Sequence, residues 1–152
     1  MKRVEAIVDG GMIGGNPGKG GWGGRFRVYN DEHSCDETLV DEKYFGFSFG
    51  TEVVTNNVAE WRAILGAMQI FHEHYFDATS WLIVSDSKLA VMQANGKWRC
   101  KNEHMERLHY MYLFLHKSLT ANGLIPFTIE HRRRKFTECA HDHIAKILGR
   151  SK

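Results

Sequence analysis

The sequence predicts a single α/β domain, and three observations carry the prediction. Two short apolar runs, Val4–Val8 and Trp81–Ser85, each end at an acid, Asp9 and Asp86. Between them, Thr55-Asn56-Asn57 announces a helix whose Ala59, Ala63, Ala67 and Ile70 share one stripe. Strand-like and helical patterns then alternate to the end of the chain, as they do when helices cover a sheet. The 152 residues suffice for one real core and not comfortably for two, so residues 1–152 are read as one domain.

The elements follow in order. Val4–Val8 is the first strand, Gly20–Tyr29 the second and Lys43–Phe49, rich in aromatics, the third. A polar turn, Asn30-Asp31-Glu32-His33, and other short links favour an antiparallel meander. Thr55 or Asn56 caps a helix running to about Tyr75. Trp81–Ser85 is apolar on both faces, the mark of a central parallel strand. Lys88–Asn95 is a short helix stopped by Gly96. Asn102–Asn122 carries Met105, Leu108, Tyr112, Leu115 and Leu119 at helical spacing, Ile125–Glu130 is the fifth strand and Glu138–Leu148 the last helix.

Composition narrows the function. Hydrophobic residues at 43% and charged residues at 25% are ordinary for a soluble globular protein, and no apolar stretch reaches membrane-spanning length. Cys35, Cys100 and Cys139 form no C-x-x-C, so neither a zinc knuckle nor a disulfide framework is supported, and a reducing, cytoplasmic setting fits best. The net charge is only +2, but basic residues cluster at Lys97–Lys101 and in Arg132-Arg133-Arg134-Lys135. Such clusters suit a polyanion; a solvated basic loop or a localisation signal are the other readings of the arginine run.

The chemistry resides in four acids: Asp9 and Asp86 at strand ends, Glu60 just inside the first helix and Asp142 in the last. Acids at the carboxyl ends of neighbouring strands face one crevice. Crowded carboxylates repel unless a divalent cation neutralises them, which suggests Mg²⁺ or Mn²⁺ and a reaction at phosphate. The glycine-rich stretch Gly10–Gly24 is no phosphate loop, because Ile13 and Gly20 break the required pattern. Gly18-Lys19-Gly20-Gly21-Trp22-Gly23 has the letters of a dinucleotide fingerprint, but a strand follows it where a helix is needed. A turn between antiparallel strands, with backbone close to a bulky ligand, is preferred.

Four motifs in order then resemble the ribonuclease HI family. They are Asp9-Gly10 with Gly15-Asn16-Pro17-Gly18-Lys19-Gly20-Gly21-Trp22-Gly23, Thr55-Asn56-Asn57-Val58-Ala59-Glu60, Asp86-Ser87, and Asp142-His143-Ile144-Ala145. The resemblance covers essentially the whole chain. It departs at Val53, where many members are basic, and at Glu138, where Asn is usual. The segment Asn95–Asn102 looks like members without the long basic protrusion.

The resemblance implies a ribonuclease H-like fold, with a five-stranded mixed sheet flanked by helices in the order β-β-β-α-β-α-α-β-α. It also implies an endonuclease that cuts the RNA strand of RNA–DNA hybrids, leaving 5′-phosphate and 3′-hydroxyl ends. Two Mg²⁺ ions roughly 3.5–4 Å apart, replaceable by Mn²⁺, would straddle the scissile phosphate. Asp9 would bridge them, Asp142 would help bind the ion that activates water, and Glu60 and Asp86 would hold the other. His131 would assist proton movement and product release, unless it is a surface histidine. Asn16, Asn56 and Asn57, behind the Thr55 cap and with backbone from Gly10 and Gly14, would contact 2′-hydroxyls. Trp98 would stack on a DNA sugar, with Lys101 on phosphate, unless Trp98 is a core aromatic. His141 and His143 flank Asp142 on opposing sides, and no role is assigned to them. The expected protein is monomeric and binds no membrane. The alternatives are a DNA-directed nuclease of resolvase or transposase type, and an inactive nucleic-acid-binding module.

Overall fold

The computed structural model describes residues 2–30 and 38–149. The strands are β1 (Lys2–Ile13), β2 (Gly18–Asn30), β3 (Thr38–Val54), β4 (Ser80–Ser85) and β5 (Phe127–His131). The helices are α1 (Asn56–His74), α2 (Lys88–Ala94), α3 (Glu103–Leu119) and α4 (Glu138–Ile147), with a 3₁₀ turn at Arg134–Phe136. Element order is as the sequence predicts. Asp31, Glu32 and His33 of the expected turn, and Cys35, lie outside the described residues.

The sheet runs β3-β2-β1-β4-β5. β1–β2 and β2–β3 are antiparallel, whereas β1–β4 and β4–β5 are parallel, so the sheet is mixed. β1 and β3 extend well past their predicted cores, whereas β2 gains only Gly18 and Lys19 before and Asn30 after its predicted span. Asp9 therefore lies inside β1 rather than at its end. What ends there is the pairing with β4, whose last register pair is Val8–Ser85. Apolar alternation could not reveal the part of β1 beyond Asp9, because Gly10 and Gly11 replace side chains that would alternate. The glycine-rich stretch is thus mostly ladder, and only residues 14–17 turn.

α1 nucleates as predicted. Thr55 caps it, its Oγ1 accepting from the Val58 amide at 3.3 Å. Its alanines are fully buried against the sheet, alongside Trp61, Ile64, Met68 and Phe71. The Trp61 indole donates to Gln93 Oε1 at 2.8 Å, and Gln93 Nε2 donates to the Arg99 carbonyl at 3.1 Å. This buried relay ties α1 to α2 and to the basic segment after it. Truncating Trp61 to alanine would open a cavity and orphan Gln93, a change that costs about 3–5 kcal/mol. Among the described residues, no helix is long and apolar enough to cross a membrane.

Candidate metal centre

The site begins with strand register. Because β1 and β4 run parallel and part after Val8 and Ser85, the next residues, Asp9 and Asp86, emerge side by side. α1 crosses β1 at Gly10, where an added Cβ would lie 2.3 Å from the Ala59 carbonyl carbon and oxygen and 2.6 Å from the Glu60 nitrogen. Only glycine permits that approach, and the approach brings Glu60 down beside Asp9. One carboxylate oxygen from each of Asp9, Glu60 and Asp86 lies within 4.8 Å of the other two.

These acids sit where anions are unwelcome. Asp9 is 1% and Glu60 5% exposed. Burial, and next the charge of Asp9, push the Glu60 carboxyl well above the usual carboxylate range. Burial and the charge of Asp86 raise Asp9 as well, against hydrogen bonds from Glu60 and His141 that lower it. Asp9 Oδ1 and Glu60 Oε2 are buried without a hydrogen-bond partner among the described residues. Buried, partnerless carboxylate oxygens are costly unless a cation faces them. An all-oxygen donor set of this kind fits Mg²⁺ or Mn²⁺.

Two further groups enter the same cleft of about 320 Å³, and the sequence reading assigned neither to it. Arg134, from the 3₁₀ turn, places Nε 3.1 Å from Asp86 Oδ2 and Nη1 3.2 Å from His141 Nδ1. His141 Nδ1 is in turn 3.1 Å from Asp9 Oδ2. Of the four acids predicted to converge, three do. Asp142 is half-buried on α4 and is not among the residues lining the cleft. The reason is helix rotation. Ala140 and Ile144 are fully buried beneath α4, where an added Cβ on Gly23 would lie 3.1 Å from the Ile144 nitrogen. At 100° per residue, His141 then flanks the buried stripe, whereas Asp142 lies about 200° round from Ala140.

The remaining predicted residues separate into groups. Asn56 borders the acidic cleft and also a neighbouring one of about 710 Å³ shared with Asn16, Thr55 and Asn57. Asn16 Oδ1 accepts from the Asn56 amide at 3.1 Å, which pins the β1–β2 turn to the start of α1. Gly14 lies in that turn, exposed, with φ +80°. His131 ends β5 beside Ser85, exposed and outside the cleft lining. Trp98 is 41% exposed rather than core, with Lys88 Nζ 5.8 Å from its ring centre. Lys101 is exposed just before the Asn102 cap of α3. The arginine run is not uniformly solvated, for Arg132 pairs with Glu130 at 2.8 Å and Arg134 enters the cleft.

A mixed five-stranded sheet that gathers acids from β1, α1 and the end of β4 under a C-terminal helix is the ribonuclease H fold. The chain belongs to the reverse transcriptase-like family, whose model matches residues 41–146. Ribonuclease H1 from the halophilic archaeon Halobacterium salinarum NRC-1 superposes with a TM-score of 0.71 at 27% identity, covering 96% of both chains. The N-terminal ribonuclease H domain of Rv2228c from Mycobacterium tuberculosis gives 0.68 at 27% identity, covering 96% of this chain and 92% of that one. In sequence, the bifunctional protein Rv2228c of M. tuberculosis H37Rv is 34% identical over 107 residues, 70% of this chain. The chain spans only 26% of the length of that relative.

Proposed function

We propose that the protein is an endonuclease that hydrolyses the RNA strand of RNA–DNA hybrids, leaving 5′-phosphate and 3′-hydroxyl ends. The observation that carries this reading is the convergence of Asp9, Glu60 and Asp86 with two partnerless buried oxygens. Two Mg²⁺ or Mn²⁺ ions, when bound, supply a water of lowered pKa and neutralise charge at the phosphate. Asp9, Glu60 and Asp86 hold them, and α4 contributes a fourth group. The likeness to ribonuclease H1 proteins at 27% identity supports the choice of substrate.

The chain's own residues do the rest. Asn56, shared by the two clefts, leads the RNA strand from the acids towards Asn16 and Asn57. Their amides both donate and accept, so they can pair with successive 2′-hydroxyls, helped by backbone at Gly10 and Gly14. Trp98 and Lys101 hold the DNA strand, and His131 assists departure of the product. This domain acts as a monomer in the cytoplasm, a setting consistent with the free thiols of Cys100 and Cys139.

The test is a panel of labelled substrates: hybrid, double-stranded RNA, double-stranded DNA and a DNA junction, each with and without Mg²⁺. Cleavage of only the RNA strand of the hybrid, lost in Asp86→Asn, is expected. Cutting of duplex or junction DNA with the hybrid left intact would replace this reading with a DNA-directed nuclease.

A further inference from the structure

We propose that His141, and not Asp142, completes the metal centre, giving three carboxylates and one imidazole. The inference rests on the metal-binding part of the proposed function and assigns its fourth side chain.

Three observations carry it. First, His141 is the residue that α4 presents to the acidic cleft, and its Nδ1 stands 3.1 Å from Asp9 Oδ2. Two ligands on adjacent corners of an octahedron, each about 2.1 Å from the ion, lie about 3.0 Å apart. The observed pair therefore already has the separation of neighbouring ligands. Second, Asp9, Glu60 and Asp86 form one close triad that His141 does not join, although it touches Asp9. One carboxylate shared between a triad and a separate imidazole is what a two-ion centre with a bridging acid requires. Third, the guanidinium of Arg134 reaches both Asp86, at 3.1 Å, and the imidazole, at 3.2 and 3.4 Å. A cation thus already lies between those two side chains.

Rotation of α4 cannot readily exchange the two residues. Turning Asp142 inward would lift Ile144 and Ala140 off the sheet, and both are fully buried. His143, the other neighbour, is occupied elsewhere, its ring 5.2 Å from that of Tyr44. An imidazole in place of a carboxylate removes one negative charge and introduces a softer donor. The centre should accordingly favour Mn²⁺ over Mg²⁺ more strongly than an all-carboxylate site would.

Pulsed electron paramagnetic resonance on the Mn²⁺-loaded protein tests this without reference to activity. Wild type and Asp142→Asn should show ¹⁴N modulation from a directly bound imidazole. His141→Ala and His141→Asp should lose it, and His141→Asp should still bind Mn²⁺. Mn²⁺ affinity should fall roughly tenfold or more in His141→Ala. In His141→Asp, the ratio of Mg²⁺ to Mn²⁺ affinity should rise. Modulation that survives in His141→Ala, or bound Mn²⁺ without modulation in wild type, would overturn the assignment while leaving hybrid cleavage intact. Absence of Mn²⁺ binding in wild type would overturn both the assignment and the metal centre. Clear modulation with no cleavage of hybrid would support the ligand and refute the nuclease.

Discussion

Arg134 Nε lies 3.1 Å from Asp86 Oδ2, so a loop arginine sits over one wall of an acidic cleft. The contact gives the cleft a built-in cation that competes for the carboxylate any metal ion must use. The Arg134 side chain is 56% exposed, which limits the strength of the pair. Exposed pairs contribute about 0.2–1 kcal/mol. Arg134→Ala should therefore lower the Mg²⁺ concentration for half-maximal cleavage by about 1.4- to 5-fold. If the guanidinium also contacts substrate phosphate, KM for hybrid should rise. A metal titration unchanged by the substitution would mean that Arg134 does not compete.

The shifted acids make stability depend on pH in a definite direction. Asp9 and Glu60 are raised from ordinary values of 3.8 and 4.5, chiefly by burial. The native state thus holds protons that the unfolded chain has released. The stability these groups contribute is fully present below the ordinary values and is lost as pH rises through the raised ones. In chelator, the melting temperature should fall from pH 5 to pH 8. Added Mn²⁺ should restore it, by more at the higher pH, because the ion replaces those protons. Glu60→Gln should flatten the slope and blunt the metal response. A melting temperature that rises with pH in chelator would contradict this account.

Gly10 is a packing requirement at the centre of the site. Its added Cβ would meet backbone atoms of Ala59 at 2.3 Å, and backbone cannot turn aside as a flexible side chain can. Gly10→Ala should destabilise the fold by about 1–3 kcal/mol in denaturant titration. It should also weaken Mn²⁺ binding, since any lift of α1 carries Glu60 away from Asp9. Unchanged stability would show that α1 has more play than this contact allows.

The Asn56 side chain gives a separate handle on RNA recognition, because the bond to Asn16 Oδ1 comes from the Asn56 backbone N–H and survives truncation of that side chain. Asn56→Ala should slow hybrid cleavage while leaving Mn²⁺ affinity near normal. On the proposed reading of 2′-hydroxyls in series, a substrate with several consecutive ribonucleotides should be cut far better than one with a lone ribonucleotide. Binding should weaken steeply with salt, as expected when phosphate contacts dominate affinity. Equal cutting of the lone-ribonucleotide substrate would remove Asn16, Asn56 and Asn57 from that role.

The sequence alone determined the order of the nine main elements among the described residues and the convergence of Asp9, Glu60 and Asp86. It could do so because those signals are local: an apolar run, a cap such as Thr55, a stripe of alanines repeating with the helical period. Where local signals fail, only tertiary structure decided. The end of β1 and the start of β2 lie among glycines, which carry no alternation to read, so their extent followed from the pairing of one strand with the other. Arg134 belongs to a run of like residues, and only the 3₁₀ turn singles it out for Asp86. The choice between His141 and Asp142 turns on one step of helix rotation, about 100°. That rotation is set by the burial of Ala140 and Ile144 against the sheet, a contact between segments far apart in the chain.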